Sequence, residues 1–425
     1  MKTQKKIRML LLLIGAGAAL QGQDSITLSD CYSLATEHAP RMRDSAVIRK
    51  ITQLKISNIQ KNWFPELNVN GRFSYQSDVV TVALEDAPIP VAFPEVPRDQ
   101  YGLNLDLSQT LYDGGVNSRK KALEKAEAEA EFQQVKVDLY GIREQVNQLF
   151  FNFLILRENL GNMEINLENL VRRREVLQTG LNHGVVLESD LMVMDVEILR
   201  VRQAMAEIAS GMRSCLEALE VLCGRDFREH AVLVRPEPEE IPQEEGTRPE
   251  YRLFELREAT LDAGKELQSR KRIPVLYAFG QTGYGKPGYN MLNDEWDFYY
   301  MVGAGIRWNI WDWDRSRSEA TILEQQKQLL RSRRAAFDQQ LESRMVQEKA
   351  RIAQYRETLA LDEQVLALQK EIADRAATRL ENGTLTATDY LIELNKENQA
   401  RNRLTTHQLQ LIQSLVNYRT LQGKL

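Results

Sequence analysis

The sequence has few of the features that mark enzymes, metal centres and helical membrane proteins. It contains only three cysteines and four histidines among 425 residues. The histidines lack the close spacing of a metal site, and no Ser/His/Asp or Cys/His grouping indicates a nucleophilic active site. Beyond the N-terminus, no apolar run approaches the roughly 20 residues that a membrane-spanning helix needs. We therefore expect a protein that is not an enzyme, binds no metal or cofactor, and can cross a membrane only with strands.

The cysteines form no recognisable disulfide framework. Cys215 and Cys223 lie on one predicted helix, roughly 12 Å apart by the helical rise, which is beyond disulfide reach. We expect these two residues and Cys31 to be structural thiols. No cysteine follows the N-terminal apolar segment, so lipidation of the N-terminus is not indicated.

Two further classes of ligand are disfavoured. Gly280, Gly285 and Lys286 match the start of a phosphate-binding loop, but Pro287 stands where a Ser or Thr would hold magnesium. The formal net charge of −5 argues against nucleic acid as a partner.

The N-terminus has the layout of a secretory signal peptide. Four basic residues precede the apolar run Met9–Ile14, and small residues follow up to Ala19. We predict that residues 1–22 are removed and that the mature protein lies outside the cytoplasm.

The chain contains an internal duplication, because landmark residues recur in the same order 209 or 199 positions later. The pairs are Pro40 and Pro249, Pro65 and Pro274, Asp113 and Asp312, Gly184 and Gly383, and Asp190 and Asp389. We predict a first structural repeat over residues 23–224, a second over residues 248–425, and a solvated linker rich in proline and glutamate over residues 225–247.

Each repeat contains two segments in which apolar and polar residues alternate, as in strands that separate lipid from a polar lumen. The predicted strands cover about residues 66–84, 98–112, 274–285 and 296–311. Aromatic residues expected to face lipid are Phe73, Tyr75, Tyr101, Trp296, Phe298, Tyr300 and Trp308. In the third strand, Val275, Tyr277 and Phe279 alternate with Leu276 and Ala278, which are also apolar. Half-buried strands of a soluble sheet remain an alternative for these segments.

Four strands cannot close a barrel, and an open sheet would leave unpaired edges in lipid. Three copies would supply twelve strands, which is enough for a closed barrel with a lumen.

The remaining chain is predicted to be helical. A sustained heptad pattern indicates two long helices, over residues 116–183 and 315–382, each on the order of 100 Å long. Shorter helices are predicted over residues 187–222 and 386–421. The fold class is therefore α+β, with amphipathic strands and long antiparallel coiled-coil helices.

Gly184 and Gly383 mark sharp turns between the long and short helices. Asp190 and Asp389 follow in the first turn of each returning helix, where a carboxylate can cap backbone N–H groups and oppose the helix dipole. At the turns from strand to long helix, Asp113 and Asp312 are predicted to begin the helices. Gly114 and Gly115 follow Asp113, whereas Trp313 and Asp314 follow Asp312.

These segments together resemble the TolC-like outer-membrane factors of tripartite efflux pumps and type I secretion systems. The quoted segments are ITLSDCYSLATEHAPRMRDS (26–45), LSQTLYDGGVNSR (107–119), RPEYRLFEL (248–256) and IRWNIWDWDRSR (306–317), with the turns LNHGVVLESDL (181–191) and LENGTLTATDYL (380–391). The resemblance covers essentially the whole mature chain. It implies a homotrimer with a twelve-stranded barrel in the outer membrane of a Gram-negative bacterium and a twelve-helix tunnel across the periplasm.

The same resemblance implies a passive exit duct that works with a periplasmic adaptor protein and an inner-membrane efflux pump or ABC transporter. The helix turns would then line the periplasmic entrance, dock the adaptor and close the channel. Residues carried over to this role are Gly184, Val185, Glu188, Asp190, Gly383, Thr384 and Asp389. Leu380 and Leu385 leave the second turn without an Arg or Tyr, so the sequence assigns no latch for the closed state. A soluble periplasmic coiled-coil scaffold or adaptor is the alternative function.

Overall fold

The computed structural model describes residues 25–80, 96–184, 186–227, 232–238, 246–291 and 294–424. The predicted signal peptide, residue 185, the last residues of the first predicted strand and parts of the linker lie outside these ranges. Within them the chain forms helices, a four-stranded antiparallel sheet and one pair of two-residue parallel strands.

Helices account for most of the described residues, and the two repeats carry matching sets. The helices are α1 (Leu28–His38), α2 (Asp44–Lys61), α3 (Val116–Asn182), α4 (Glu188–Cys223), α5 (Pro249–Arg270), α6 (Arg315–Glu381) and α7 (Ala387–Gln422). The long helices α3 and α6 each have 67 residues, and the returning helices α4 and α7 each have 36. No proline interrupts any of these four helices, so their backbone hydrogen bonds can continue without a break. None of the helices in the described ranges combines the length and apolarity needed to cross a membrane.

The strands are β1 (Ser25–Ile26), β2 (Glu66–Tyr75), β3 (Asp99–Tyr112), β4 (Val232–Leu233), β5 (Val275–Lys286) and β6 (Asp297–Arg307). The larger sheet has the order β2-β3-β5-β6, so the hairpin of the first repeat pairs with the hairpin of the second through β3 and β5. Strands β2 and β6 each have a neighbour on one side only among the described residues.

Two strands are shorter than the sequence predicts. Strand β2 ends at Tyr75 rather than near residue 84, and residues 76–80 are irregular. Strand β6 ends at Arg307 rather than at residue 311, although the apolar alternation continues through Trp308 and Ile310. Arg307 pairs with Val275, the first residue of β5, and the described pairing between the two strands ends there.

Register gives the larger sheet one apolar face and one polar face. Directly opposed residues of an antiparallel pair project to the same side. The apolar face carries Leu67, Val69, Phe73, Tyr101, Leu103, Leu105, Leu107, Tyr284, Phe298, Tyr300, Val302 and Ile306, all of them solvent-exposed in the single chain. A single chain therefore leaves this face uncovered.

The opposite face carries a hydrogen-bonded polar network. Asp106 accepts from Asn70 Nδ2 at 2.5 Å and from Gln281 Nε2 at 2.7 Å. The Tyr299 hydroxyl donates to Asn104, and the Tyr289 hydroxyl donates to Gln281 Oε1 at 2.7 Å. This network links β2, β3, β5 and β6 across the polar face.

The residue pattern of β5 does not by itself determine which side of the sheet each of its side chains occupies. Tyr277 and Phe279 lie on the polar face, where their rings cover Gly305 and Gly303 of β6. Leu276 and Ala278 lie on the apolar face. Because both sets are apolar, period-two alternation could not separate them, and pairing with β3 and β6 decides the orientation.

The chain divides into two compact units. The helical unit contains residues 1–42, 136–249 and 338–425, and the sheet unit contains residues 43–135 and 250–337. In the helical unit, one buried cluster includes Phe150, Phe151, Leu154, Leu219 and Leu409. A second cluster, nearer the helix turns, includes Leu170, Leu177, Met194, Ile198, Tyr390 and Leu394. Burial of these side chains is the main stabilising contribution for helices of this length.

Candidate functional site

The two helix turns in the helical unit depend on left-handed glycines. Gly184 has φ of 74° and Gly383 has φ of 65°, and the Gly184 and Gly383 amides donate to Leu181 O at 2.9 Å and Leu380 O at 3.0 Å. A Cβ at either position would meet no atom within 4 Å. The backbone angle, rather than lack of space, therefore favours glycine at both turns.

The two returning helices begin differently. Thr386 caps α7, because its Oγ1 accepts from the Asp389 amide at 3.1 Å and donates to the Asp389 carboxylate at 2.7 Å. Leu187 precedes α4 and makes no side-chain cap. The Asp389 carboxylate thus accepts from the hydroxyl that caps the helix and holds the Thr386 side chain in place.

Asp190 has a partner that the sequence did not predict. Its Oδ1 accepts from the Ala387 amide at 3.3 Å, so the carboxylate from the first turn caps a backbone N–H of the second. Ala387 is fully buried. The contact therefore joins the starts of α4 and α7.

An arginine further along the long helix adds a second link between the repeats. Arg173 of α3 forms an ion pair with Glu381 at the end of α6, and its guanidinium lies 5.8 Å from the centre of the Tyr390 ring. Tyr390 is buried, and this burial raises the pKa of its phenol. The charged arginine therefore faces a neutral ring and one carboxylate.

This cluster surrounds a cavity of about 440 Å³. The lining residues are Asn169, Arg172, Arg173, Val176, Ala373, Asp374, Ala377, Glu381, Tyr390, Leu394 and Glu397. The sequence of the turns did not indicate Arg173 or Tyr390. Arg173 lies on the preceding helix, and Tyr390 follows the predicted turn residue Asp389. The sequence assigned no latch to the turns, and the structure places Arg173 and Tyr390 beside them.

A separate ion pair lies within the first helical hairpin. Arg174 donates to both carboxylate oxygens of Asp195, with Nε to Oδ1 at 2.5 Å and Nη2 to Oδ2 at 3.3 Å. The hydrogen bond from Arg174 lowers the pKa of Asp195, so the pair stays ionised in neutral solution.

The other predicted turn residues lie at the surface. Glu188 is exposed in the first turn of α4. Thr384 is exposed, and both its amide and its hydroxyl donate to Arg379 O, at 2.9 and 3.1 Å. Val185 lies outside the described residues.

At the junctions from strand to long helix, the two aspartates make equivalent bonds. Asp113 accepts from the Gly115 amide at 2.8 Å and the Asn117 amide at 2.6 Å, whereas Asp312 accepts from the Ser316 amide at 3.0 Å. These bonds satisfy backbone donors at the helix start, which is the role that the sequence favours for both residues.

The left-handed backbone at the junctions is reached in two ways. In the first repeat it falls on Gly114 and Gly115, with φ of 68° and 87°. In the second it falls on Trp313 and Asp314, with φ of 55° and 58°, which is uncommon for residues with a Cβ. Gly114 also has no room for a side chain, because a Cβ there would lie 2.7 Å from Ile273 Cβ.

The aromatic residues predicted to face lipid are all exposed in the single chain. Phe73, Tyr101, Trp296 and Tyr284 form a continuous ring cluster near the strand ends that lead into the hairpin loops, with centroid distances of 5.0, 5.7 and 5.3 Å. At the opposite ends of the strands, exposed aromatic residues include Phe64, Tyr112, Trp308, Trp311 and Trp313. Two aromatic girdles flanking an apolar band are typical of membrane barrels.

The sequence of the first repeat carries the decisive comparison. Residues 31–225 match the family of outer membrane efflux proteins. The matched residues make up a little under half of the chain, so the chain is similar to this family over its first repeat. No curated protein matches the chain by sequence. The family is one of outer-membrane efflux channels and not of enzymes.

Solved structures extend the likeness of fold to nearly the whole chain. The outer membrane protein VceC from Vibrio cholerae matches with a TM-score of 0.67 and 15% identity, over 93% of this chain and 96% of VceC. CusC, which forms a transmembrane channel, matches with a TM-score of 0.71 and 15% identity, over 93% of this chain and 92% of CusC. The MtrE outer membrane channel of Neisseria gonorrhoeae matches with a TM-score of 0.64 and 16% identity, over 94% of this chain and 89% of MtrE. The chain therefore has the fold of these outer-membrane channels.

Proposed function

We propose that this chain is the passive exit channel of a tripartite efflux or type I secretion system, assembled as a homotrimer in the outer membrane. The observation that carries the proposal is the four-stranded sheet, which exposes one apolar face and, among the described residues, has two unpaired edges; the match of residues 31–225 to the outer membrane efflux protein family supports it.

Lipid is the partner that suits the apolar face. Its strands have 10 to 14 residues, enough to cross a bilayer when tilted. Val302, in the middle of β6, keeps 76% of its surface exposed, and Tyr300 beside it keeps 72%. In water such a patch would favour aggregation, whereas in lipid it is stable.

Further copies of the chain are the partners that suit the sheet edges. Strands β2 and β6 each offer a row of backbone donors and acceptors that lipid cannot satisfy. Pairing β6 of one copy with β2 of the next would satisfy them, and three copies would close a twelve-stranded barrel. Its polar network around Asp106 would then face the lumen.

The helical unit also offers surfaces for a second copy. Leu361, Val365, Leu368 and Ile372 form an exposed stripe on α6 with the 4-3-4 spacing of a coiled-coil seam. Met192, Val196 and Leu199 form a shorter exposed stripe on α4. Packing the helices of adjacent copies along these stripes would bury both.

Gating is assigned to the helix turns. In a trimer each turn residue occurs three times, so Asp190, Asp389 and Glu188 would place rings of negative charge at the entrance and favour cations. The Asp190–Ala387 and Arg173–Glu381 contacts would hold the two hairpins of each copy together in the closed state. A periplasmic adaptor docked on Gly184, Val185, Gly383 and Thr384 would separate them, and an inner-membrane pump or ABC transporter would supply the energy.

The mass and location of the mature protein test this proposal. Cell envelopes are fractionated, the protein is extracted in mild detergent, and its mass is measured by light scattering corrected for bound detergent. A trimer from the outer membrane that forms ion-conducting pores in a planar bilayer is the expected result. A water-soluble monomer or dimer would contradict the proposal and favour the periplasmic scaffold.

A further inference from the structure

Two of the three cysteines, far apart in the sequence, are neighbours in the helical unit. Cys31 lies in α1 and Cys223 is the last residue of α4, and the Sγ atom of Cys223 lies 3.7 Å from the backbone oxygen of Cys31. Cys31 is 0% exposed and Cys223 is 3% exposed. Cys215 is only partly buried.

The packing around the pair holds α1 against the end of α4. Both cysteines belong to a buried cluster with Leu28, Ala35, Leu219 and Phe227. On one side of the pair, Asp30 and Thr27 form a reciprocal capping box at the start of α1. On the other, His38 at the end of α1 lies directly over Gly224. The capping box thus orders the start of α1, and the His38–Gly224 contact holds the end of α1 against the residue that follows α4.

The segments that flank the cysteines are also joined. Strand β1, two residues before α1, pairs in parallel with β4, which follows α4. The Val234 amide donates to Ile26 O at 3.0 Å and continues this pairing. Residues 25–38 thus contact residues 219–227 and 232–234 through backbone bonds and through the buried cluster.

We propose that Cys31 and Cys223 form a disulfide bond in the mature protein. The proposal rests on the extracytoplasmic location that follows from the proposed function, because disulfides persist in oxidising compartments. Both thiols lose their hydrogen atoms as one S–S bond forms. A protein or small-molecule disulfide is the oxidant, and it is reduced to two thiols.

The bond forms before folding is complete. In the folded chain an oxidant cannot reach sulfur atoms that are almost wholly buried. The hydrogen bond between the two thiols raises the pKa of Cys31 and lowers that of Cys223, so burial of both sulfur atoms is what shields the pair from an oxidant. Because 191 residues separate the two cysteines, oxidation follows export of nearly the whole first repeat.

The consequence is a covalent tie between the start of the mature chain and the end of α4. In the unfolded chain a disulfide across so many residues removes many conformations, and this favours the folded state. It also keeps α1 in place if α4 moves during gating.

Differential alkylation of the full-length protein tests the proposal. Cells are quenched in acid, free thiols are blocked with a light maleimide in denaturant, and the protein is then reduced and treated with a heavy maleimide. The wild-type chain and Cys215→Ser should each gain two heavy labels. The double variant Cys31→Ser/Cys223→Ser should gain none.

Three outcomes would overturn the proposal. They are no heavy label on the wild-type chain, loss of the labels in Cys215→Ser, and a covalent dimer on a non-reducing gel. Peptide mass spectrometry without reduction should find the peptides of Cys31 and Cys223 linked. None of these measurements requires transport, so failure of the disulfide and failure of the channel function are separately visible.

Discussion

At the level of single residues, the helix turns are held by side chains that lie outside the turns themselves. Arg173 contacts both Glu381 and Tyr390, which come from the second repeat. The sequence revealed the glycines and aspartates of the turns because backbone geometry and helix capping are local. It did not reveal Arg173, because nothing in the sequence distinguishes it from the adjacent arginines at 172 and 174.

Arg173→Gln should loosen the closed state. Loss of a partly exposed ion pair should lower the free energy of unfolding by about 1 kcal/mol or less, so the protein should still fold. The mean conductance of purified channels in planar bilayers should rise, because the two hairpins lose one of their links.

Arg172→Gln is the matched control. Arg172 is exposed and bonds to Glu168 and Asn169 of its own helix. Its replacement should leave conductance unchanged. Equal opening by both variants would show that positive charge in this region matters and that the Arg173 contacts do not.

Gly224→Ala should destabilise the protein more than Gly184→Ala. Both glycines have positive φ, so each alanine bears a backbone cost of about 1–2 kcal/mol. Of the two, Gly224 is also crowded, since a Cβ there would overlap the His38 ring. Crowding should add about 1–3 kcal/mol.

Thermal unfolding of the two variants followed by circular dichroism measures this difference. The double variant Gly224→Ala/His38→Ala should recover most of the additional loss. Equal midpoints for Gly224→Ala and Gly184→Ala would show that His38 moves aside at little cost.

At the level of elements, the alternation of apolar and polar residues predicts the orientation of β6 but not that of β5. In β6 one face is apolar and the other, apart from Met301, is polar or glycine, so the sequence indicated its orientation. In β5 both faces are apolar near Tyr277 and Phe279, and the orientation was decided by pairing with β3 and β6. Gly303 and Gly305 then accommodate the two rings on the polar face.

Gly303→Ala should weaken the sheet, whereas Gly280→Ala should be tolerated. A Cβ at Gly303 would lie 2.6 Å from Phe279 Cζ, but one at Gly280 would lie 3.7 Å from Val302 Cγ1, which is ordinary contact. Displacing the Phe279 ring should cost about 1–3 kcal/mol. The measurement is the temperature at which the detergent-solubilised oligomer dissociates on a gel, and a shift in Gly280→Ala alone would contradict the assigned positions of the rings.

At the level of the whole molecule, the exposed apolar surfaces point to assembly. A single chain leaves the apolar face of the sheet and the stripes on α4 and α6 uncovered. Lipid can cover the first, and copies of the same chain can cover the others.

Val365→Asp combined with Leu368→Asp should prevent trimer formation. Burying these charges between helices without partners would cost several kcal/mol, whereas the single chain exposes both positions and should tolerate them. Lys370→Asp, on the exposed polar side of the same helix, is the control and should leave assembly intact. Light scattering in detergent measures the mass, and a trimer in the double variant would contradict the proposed seam on α6.

The sequence by itself determined the duplication, the long proline-free helices, the amphipathic strands and the glycine turns. These features depend on periodicity and local backbone geometry, and residues close together in the sequence determine both. Only the tertiary structure decided the orientation of β5, the ends of β2 and β6, the Asp190–Ala387 and Arg173–Glu381 links, and the contact between Cys31 and Cys223. Each of these depends on which distant segments pack together, and no local pattern carries that information.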